Sequence, residues 1–137
     1  MKEFIQKIKG NEYVYIKGEV VSGKQLGRSV GVPTANISMC EGYRLPKLGV
    51  YATIIEINEN YYFSITNVGR RPSVDSYEYI TIEAHILDFE GDIYAQQVKL
   101  YFVEYIRDIM KLASLQEVKC QIDKDLIKLK HIFNYAI

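Results

Sequence analysis

Three things are scarce in this sequence, and each scarcity narrows what the chain can do. It has no net charge: Lys plus Arg and Asp plus Glu number 17 each. A general nucleic-acid binder carries a basic excess, because phosphate contacts supply most of that affinity. Zero charge therefore argues against that class, although the twelve tyrosines are of a kind that stacks on bases. Cysteine is nearly absent. Cys40 and Cys120 form no metal-ligand spacing, and a bridge between them is not expected in a reducing compartment. Long apolar runs are missing too. Nothing approaches the roughly 20 residues of a membrane span, and the start "MKEFIQKIKG" lacks the apolar stretch of a secretory leader. The expectation is a cytoplasmic monomer with neither membrane nor nucleic-acid partners.

What is present fits one domain. A chain of 137 residues is long enough to bury a real core, and no linker, repeat or low-complexity segment divides it. Period-2 patterns run from residue 13 to about 106. "YVYIKGEVV" (13–21), "GVYATIIEI" (49–57), "YYFSITNV" (61–68), "YITIEAHILDF" (79–89) and "QQVKLYFVEYI" (96–106) are rich in β-branched and aromatic residues, as strands are. "NEN" (58–60) and "EGD" (90–92) read as turns. From Ser114 the period changes: Leu115, Val118, Ile122, Leu126, Leu129 and Phe133 recur every three or four residues, one stripe of an amphipathic helix. Ser114 with Glu117 is a capping-box pair, in which the carboxylate reaches back to the cap's own N–H. Five or six strands and one terminal helix, without βαβ alternation, predict an antiparallel barrel with the helix packed on it.

Two features carry chemistry. The first is "GKQLGRSVGVPTANI" (23–37), with glycines at 23, 27 and 31. It is neither a Walker A loop nor a dinucleotide fingerprint, since both spacings are absent. Glycine lets a backbone approach a ligand closely, and Arg28 offers a fork of donors suited to phosphate. Pro33 makes the run into Thr34 rigid and extended. Thr34 and Asn36 then point the same way, and a hydroxyl with an amide carbonyl are hard oxygen donors of the kind Mg²⁺ accepts. An ordinary glycine-rich surface loop explains the same residues. The second is the parity of "YITIEAHILDF". Ile80, Ile82, Ala84 and Ile86 share the core face, and Thr81, Glu83 and His85 the other. Glu83 there is either a general base or one residue of a solvated outer face. His85 reads as a polar neighbour.

Read in order, "GEVVSGKQLGRSVGVPTANI" (18–37), "LPKLGVYA" (45–52), "NVGRRPS" (67–73), "EAHILDFEGDIY" (83–94) and "IRDIMKLASLQEVKCQI" (106–122) resemble the riboflavin kinase (flavokinase) domain of bacterial FAD synthetases and of the monofunctional kinases. The resemblance runs from about Tyr15 to Asp125, and its most specific part is Gly-Arg-x-x-Gly-x-Pro-Thr-Ala-Asn. It implies a six-stranded Greek-key (split) barrel with a C-terminal helix. The implied reaction is Mg²⁺-dependent transfer of the ATP γ-phosphoryl group to the 5′-hydroxyl of riboflavin, giving FMN. Thr34 and Asn36 would hold the metal and phosphates. Gly23, Arg28, Gly31 and Pro33 would cover the ATP, with Ile86, Asp88 and Tyr94 also near the nucleotide. Glu83 would be the base, and Arg107 and Glu117 would contact the flavin.

The chain departs from that pattern at particular residues. Ser73 stands where the family usually has Thr, and Ala95 where a glycine is common. Ile109 and Leu112 replace a Glu and a Phe of the flavin segment, while Lys111 matches. The nucleotide half is thus intact and the flavin half partly altered. The alternative that this raises is a barrel that binds flavin or nucleotide with weakened turnover. No adenylyltransferase domain precedes Met1, so a single kinase-like domain over 1–137, making FMN but not FAD, is the expectation.

Overall fold

The computed structural model describes residues 1–22, 34–72 and 78–134. Helix α1 (Lys2–Lys9) precedes strands β1 (Val14–Ser22), β2 (Thr34–Met39), β3 (Gly49–Ile57), β4 (Asn60–Pro72), β5 (Glu78–Ile86) and β6 (Gln97–Arg107), and helix α2 (Leu115–Ile132) follows. The strands close into a six-stranded antiparallel barrel in the order β1-β2-β5-β4-β3-β6. Closure pairs most of the described strand length on both sides, which limits the edges open to another chain.

Two apolar clusters hold the barrel. Ile16, Ala35, Ile55, Ile82, Ala84, Leu100 and their neighbours fill its interior. A second cluster lies outside, where Val50, Ala52, Ile54, Phe63 and Ile65 meet Ile8 of α1, Leu129 of α2 and Phe133. Strand β3 is therefore covered on both faces, with every residue from Gly49 to Ile55 buried, which is why its sequence shows so little alternation. Inside the barrel, the buried Thr53 Oγ1 lies 2.6 Å from Ser64 Oγ and 2.8 Å from Thr66 Oγ1, and donates to the Ser64 carbonyl at 3.0 Å. These hydroxyls satisfy one another, so burying them carries little penalty.

Several boundaries differ from the sequence expectation. Strand β4 runs on to Pro72, and β5 stops at Ile86 rather than residue 89. Ile80, expected on the core face, is 50% exposed. Among the described residues, β2 pairs with β5 only over Glu83–His85, so the start of β5 has a neighbour on the β4 side alone. Helix α1 was not anticipated. At eight residues it is too short to be stable by itself, and it is held by edge-on contacts of Phe4 with Phe63 and Phe133, at 6.1 and 5.0 Å between centroids. Helix α2 starts where the capping pair indicates. Ser114 Oγ accepts from the Glu117 N–H at 3.2 Å, but the Glu117 carboxylate accepts from Ala113 N at 2.6 Å rather than from Ser114. Of the stripe, Leu129 and Phe133 are buried and Leu115 is exposed, because α2 meets the barrel only beyond its first turn. Cys40 and Cys120 are both free.

Candidate functional site

Strand register assembles the polar face. In the β2–β5 pairing, Thr34 lies opposite His85 and Asn36 opposite Glu83, with Ala35 opposite Ala84 between them. Ala35 and Ala84 are buried in the barrel. Alternation then turns Thr34, Asn36, Glu83 and His85 together onto the outer surface, where each is half-buried. On its other side Glu83 pairs with Asn67 of β4, and His85 with the buried Ile65. Glu83 thus stands between two amide side chains, and His85 marks the border with the apolar cluster under α2. Sequence reading did not single out Asn67, whose place depends on a long-range pairing.

Thr34 Oγ1 and His85 Nδ1 are 3.1 Å apart. Burial lowers the pKa of His85 from the ordinary histidine value, while the carboxylates of Glu83 and Asp125 act in the opposite sense. Loss of water around the ring is the larger effect and favours neutral imidazole.

Asp125 was also missed, because it sits on the apolar stripe of α2. It is buried and takes a two-pronged bond from Arg107 at the end of β6: Nε to Oδ1 at 2.9 Å and Nη2 to Oδ2 at 2.8 Å. Gln121 Nε2 adds a third donor at 3.0 Å. The signal was present in retrospect, since an acid among Ile122, Leu126 and Leu129 needs a cationic partner. Arg107 also donates from Nη1 to the Asp108 carbonyl at 2.9 Å, so here its guanidinium joins β6 to α2. Glu117 is exposed, and its carboxylate serves the helix start.

The remaining expected residues are more scattered. Ile86 is 2% exposed with its side chain inside the barrel, so only its backbone can face a ligand. Asp88 and Tyr94 are exposed on the connection from β5 to β6, where the Tyr94 N–H donates to Asp92 Oδ1 at 2.9 Å. That connection returns to the end of β1 through Ala95 N to Val20 O at 2.8 Å and Val20 N to Gln96 O at 3.0 Å. Ser22, just beyond Val20, leads towards residues 23–33. Gly23, Arg28, Gly31 and Pro33 lie outside the described residues, as does Ser73. In the altered segment Ile109, Met110 and Leu112 are exposed. Ile109 Cδ1 would lie 3.9 Å, and Thr81 Oγ1 3.7 Å, from a Cβ added at Gly69. Ile109 therefore covers the Gly69–Thr81 pair, next along the sheet from Asn67 and Glu83 on the same face.

Comparison with known proteins bears on this arrangement. The family model described as "Flavokinase: Riboflavin kinase" matches residues 10–133. The chain belongs to the riboflavin kinase family. A curated flavokinase relative, the bifunctional riboflavin kinase/FMN adenylyltransferase of Haemophilus influenzae, is 37% identical over 120 residues, covering 87% of this chain and 38% of that protein. The chain thus spans well under half of that relative's length. A solved structure described as a macrolide-efflux protein from Streptococcus pneumoniae matches with TM-score 0.79 at 32% identity, over 86% of this chain and 38% of that one. Riboflavin kinase from Trypanosoma brucei has TM-score 0.60 at 22% identity, over 88% and 79%, a likeness of fold. No helix among the described residues is long and apolar enough to cross a membrane.

Proposed function

We propose that this chain is a riboflavin kinase that transfers the γ-phosphoryl group of ATP to the 5′-hydroxyl of riboflavin, giving FMN and ADP, as a single domain. The supporting observation is the β2–β5 register: it gathers the Thr34, Asn36 and Glu83 of the family motifs on one face, within a chain matched by that family over residues 10–133. The proposal concerns the kinase step alone.

The chemistry divides among these side chains. Glu83 accepts the proton of the attacking hydroxyl. Its place in mid-strand, between Asn36 and Asn67, fixes its carboxylate more firmly than a loop would. Thr34 and Asn36 hold the phosphate end of the nucleotide. Their neutral oxygen donors suit Mg²⁺, which keeps waters and substrate phosphates as its other ligands. When bound, the divalent cation neutralises charge on the phosphate oxygens. Asp88 and Tyr94 approach the nucleotide from the β5–β6 connection, and Arg107 and Glu117 lie on the flavin side.

Phosphoryl transfer depends mostly on positioning and charge neutralisation, so losing the base should slow turnover without abolishing binding. With ATP, Mg²⁺ and riboflavin the protein should make FMN, and Glu83→Gln should lower kcat by about 10²–10⁴ with substrate affinities little changed. Wild-type protein that makes no FMN at saturating substrates rejects the proposal, and FMN binding without ATP consumption would favour a binding module instead.

A further inference from the structure

We infer that His85 is a positioning residue for Thr34: its Nδ1 accepts the threonine hydroxyl proton and so turns the hydroxyl oxygen's lone pairs toward the nucleotide and its metal ion. This rests on the proposed role of Thr34 and goes beyond it, since His85 itself touches neither substrate.

The geometry is set by the fold. Thr34 is the first residue of β2 and pairs directly with His85, and their side chains meet at 3.1 Å. A hydroxyl has one proton and two lone pairs, whereas a neutral imidazole has one donor and one acceptor nitrogen. If Nδ1 carries the proton, it donates to Thr34 and takes one of the two lone pairs, leaving the hydroxyl proton to point toward the ligand side. If Nδ1 is bare, Thr34 donates to it and its acceptor side is turned outward. The second arrangement suits an oxygen ligand better, since it spends neither lone pair on the ring and aims the hydroxyl proton away from the cation, and it requires the ring proton on Nε2. On its other side His85 pairs with Ile65 of β4, a member of the apolar cluster under α2.

The test has three variants and one spectrum. ADP binding is measured by calorimetry with and without Mg²⁺ for wild type, His85→Phe, His85→Asn and Thr34→Val. The expectation is that His85→Phe weakens ADP binding about tenfold in Mg²⁺ and leaves metal-free ADP binding unchanged. His85→Asn, whose amide oxygen falls near the place of Nδ1, should restore most of the loss. Nitrogen NMR of the wild-type imidazole should find the proton on Nε2. A proton on Nδ1, or His85→Phe binding Mg²⁺–ADP like wild type while Thr34→Val does not, overturns the inference alone. If Thr34→Val also binds like wild type, the proposed role of Thr34 falls with it. Should His85→Phe fail to fold, the wild-type spectrum still decides.

Discussion

Ala95 has a φ of +65°, in the left-handed region that L-residues with a Cβ enter at a cost of about 1–2 kcal/mol. It occupies a turn whose two flanking bonds to Val20 tie the β5–β6 connection to β1, so the backbone has no freedom to relax. The glycine common at this place in the resembling family thus has a physical reason, and this chain does without it. Ala95→Gly should stabilise the fold by about 0.5–1 kcal/mol, after the greater chain entropy of unfolded glycine is counted; a denaturation midpoint that falls would contradict this. Single residues were legible to different degrees. The orientation of Glu83 followed from alternation within its own strand. Asn67 and the Thr34–His85 bond did not, because they arise from pairing between segments 16 and 51 residues apart, and alternation says nothing about which strands become neighbours.

Elements with a strong local period were readable, and those built by tertiary contact were less so. The capping pair at Ser114 marked the start of α2, and the strand cores were evident from β-branched runs. Helix α1 is a product of docking, with too few residues to declare itself. The apolar stripe of α2 suggested a greasy contact, yet its buried face includes Asp125 clasped by Arg107. The side chains of that pair are 5% and 16% exposed, so removing the acid strands a largely desolvated guanidinium. Asp125→Ala should destabilise the protein by about 3 kcal/mol, the lower end for such pairs because Arg107 retains some water. Urea unfolding measures it, and a loss below about 1 kcal/mol would mean that solvent screens the pair. Replacing both partners with apolar residues of similar volume should recover much of the loss.

The whole barrel adds a dependence on alkali that no one residue sets. Burial raises the pKa of the phenols of Tyr13, Tyr51 and Tyr61. Burial and a hydrogen bond to Glu56 raise that of Tyr101, and a bond to the Asp108 carboxylate pushes Tyr105 up to about 12. The folded protein therefore keeps protons that the unfolded chain releases from about pH 10 upward. With fewer protons bound in the unfolded state, stability must fall as pH rises through that window, having been fully present below it. Tyrosinate absorbance should lag behind that of free tyrosine and then rise together with loss of circular dichroism; gradual ionisation of all twelve at the ordinary value, fold intact, would refute this. At this scale the barrel and terminal helix were legible, since strands without crossover helices leave few ways to bury both ends of such a pattern. The seam between β2 and β5 has one more consequence. Sliding one strand by a single position would drive Thr34 and Asn36 indoors and expel Ala35 in exchange. Misalignment there is all-or-nothing: the polar face is either assembled whole or turned inward, and a molecule that closes its cylinder in register brings Glu83 and Thr34 together in the same event.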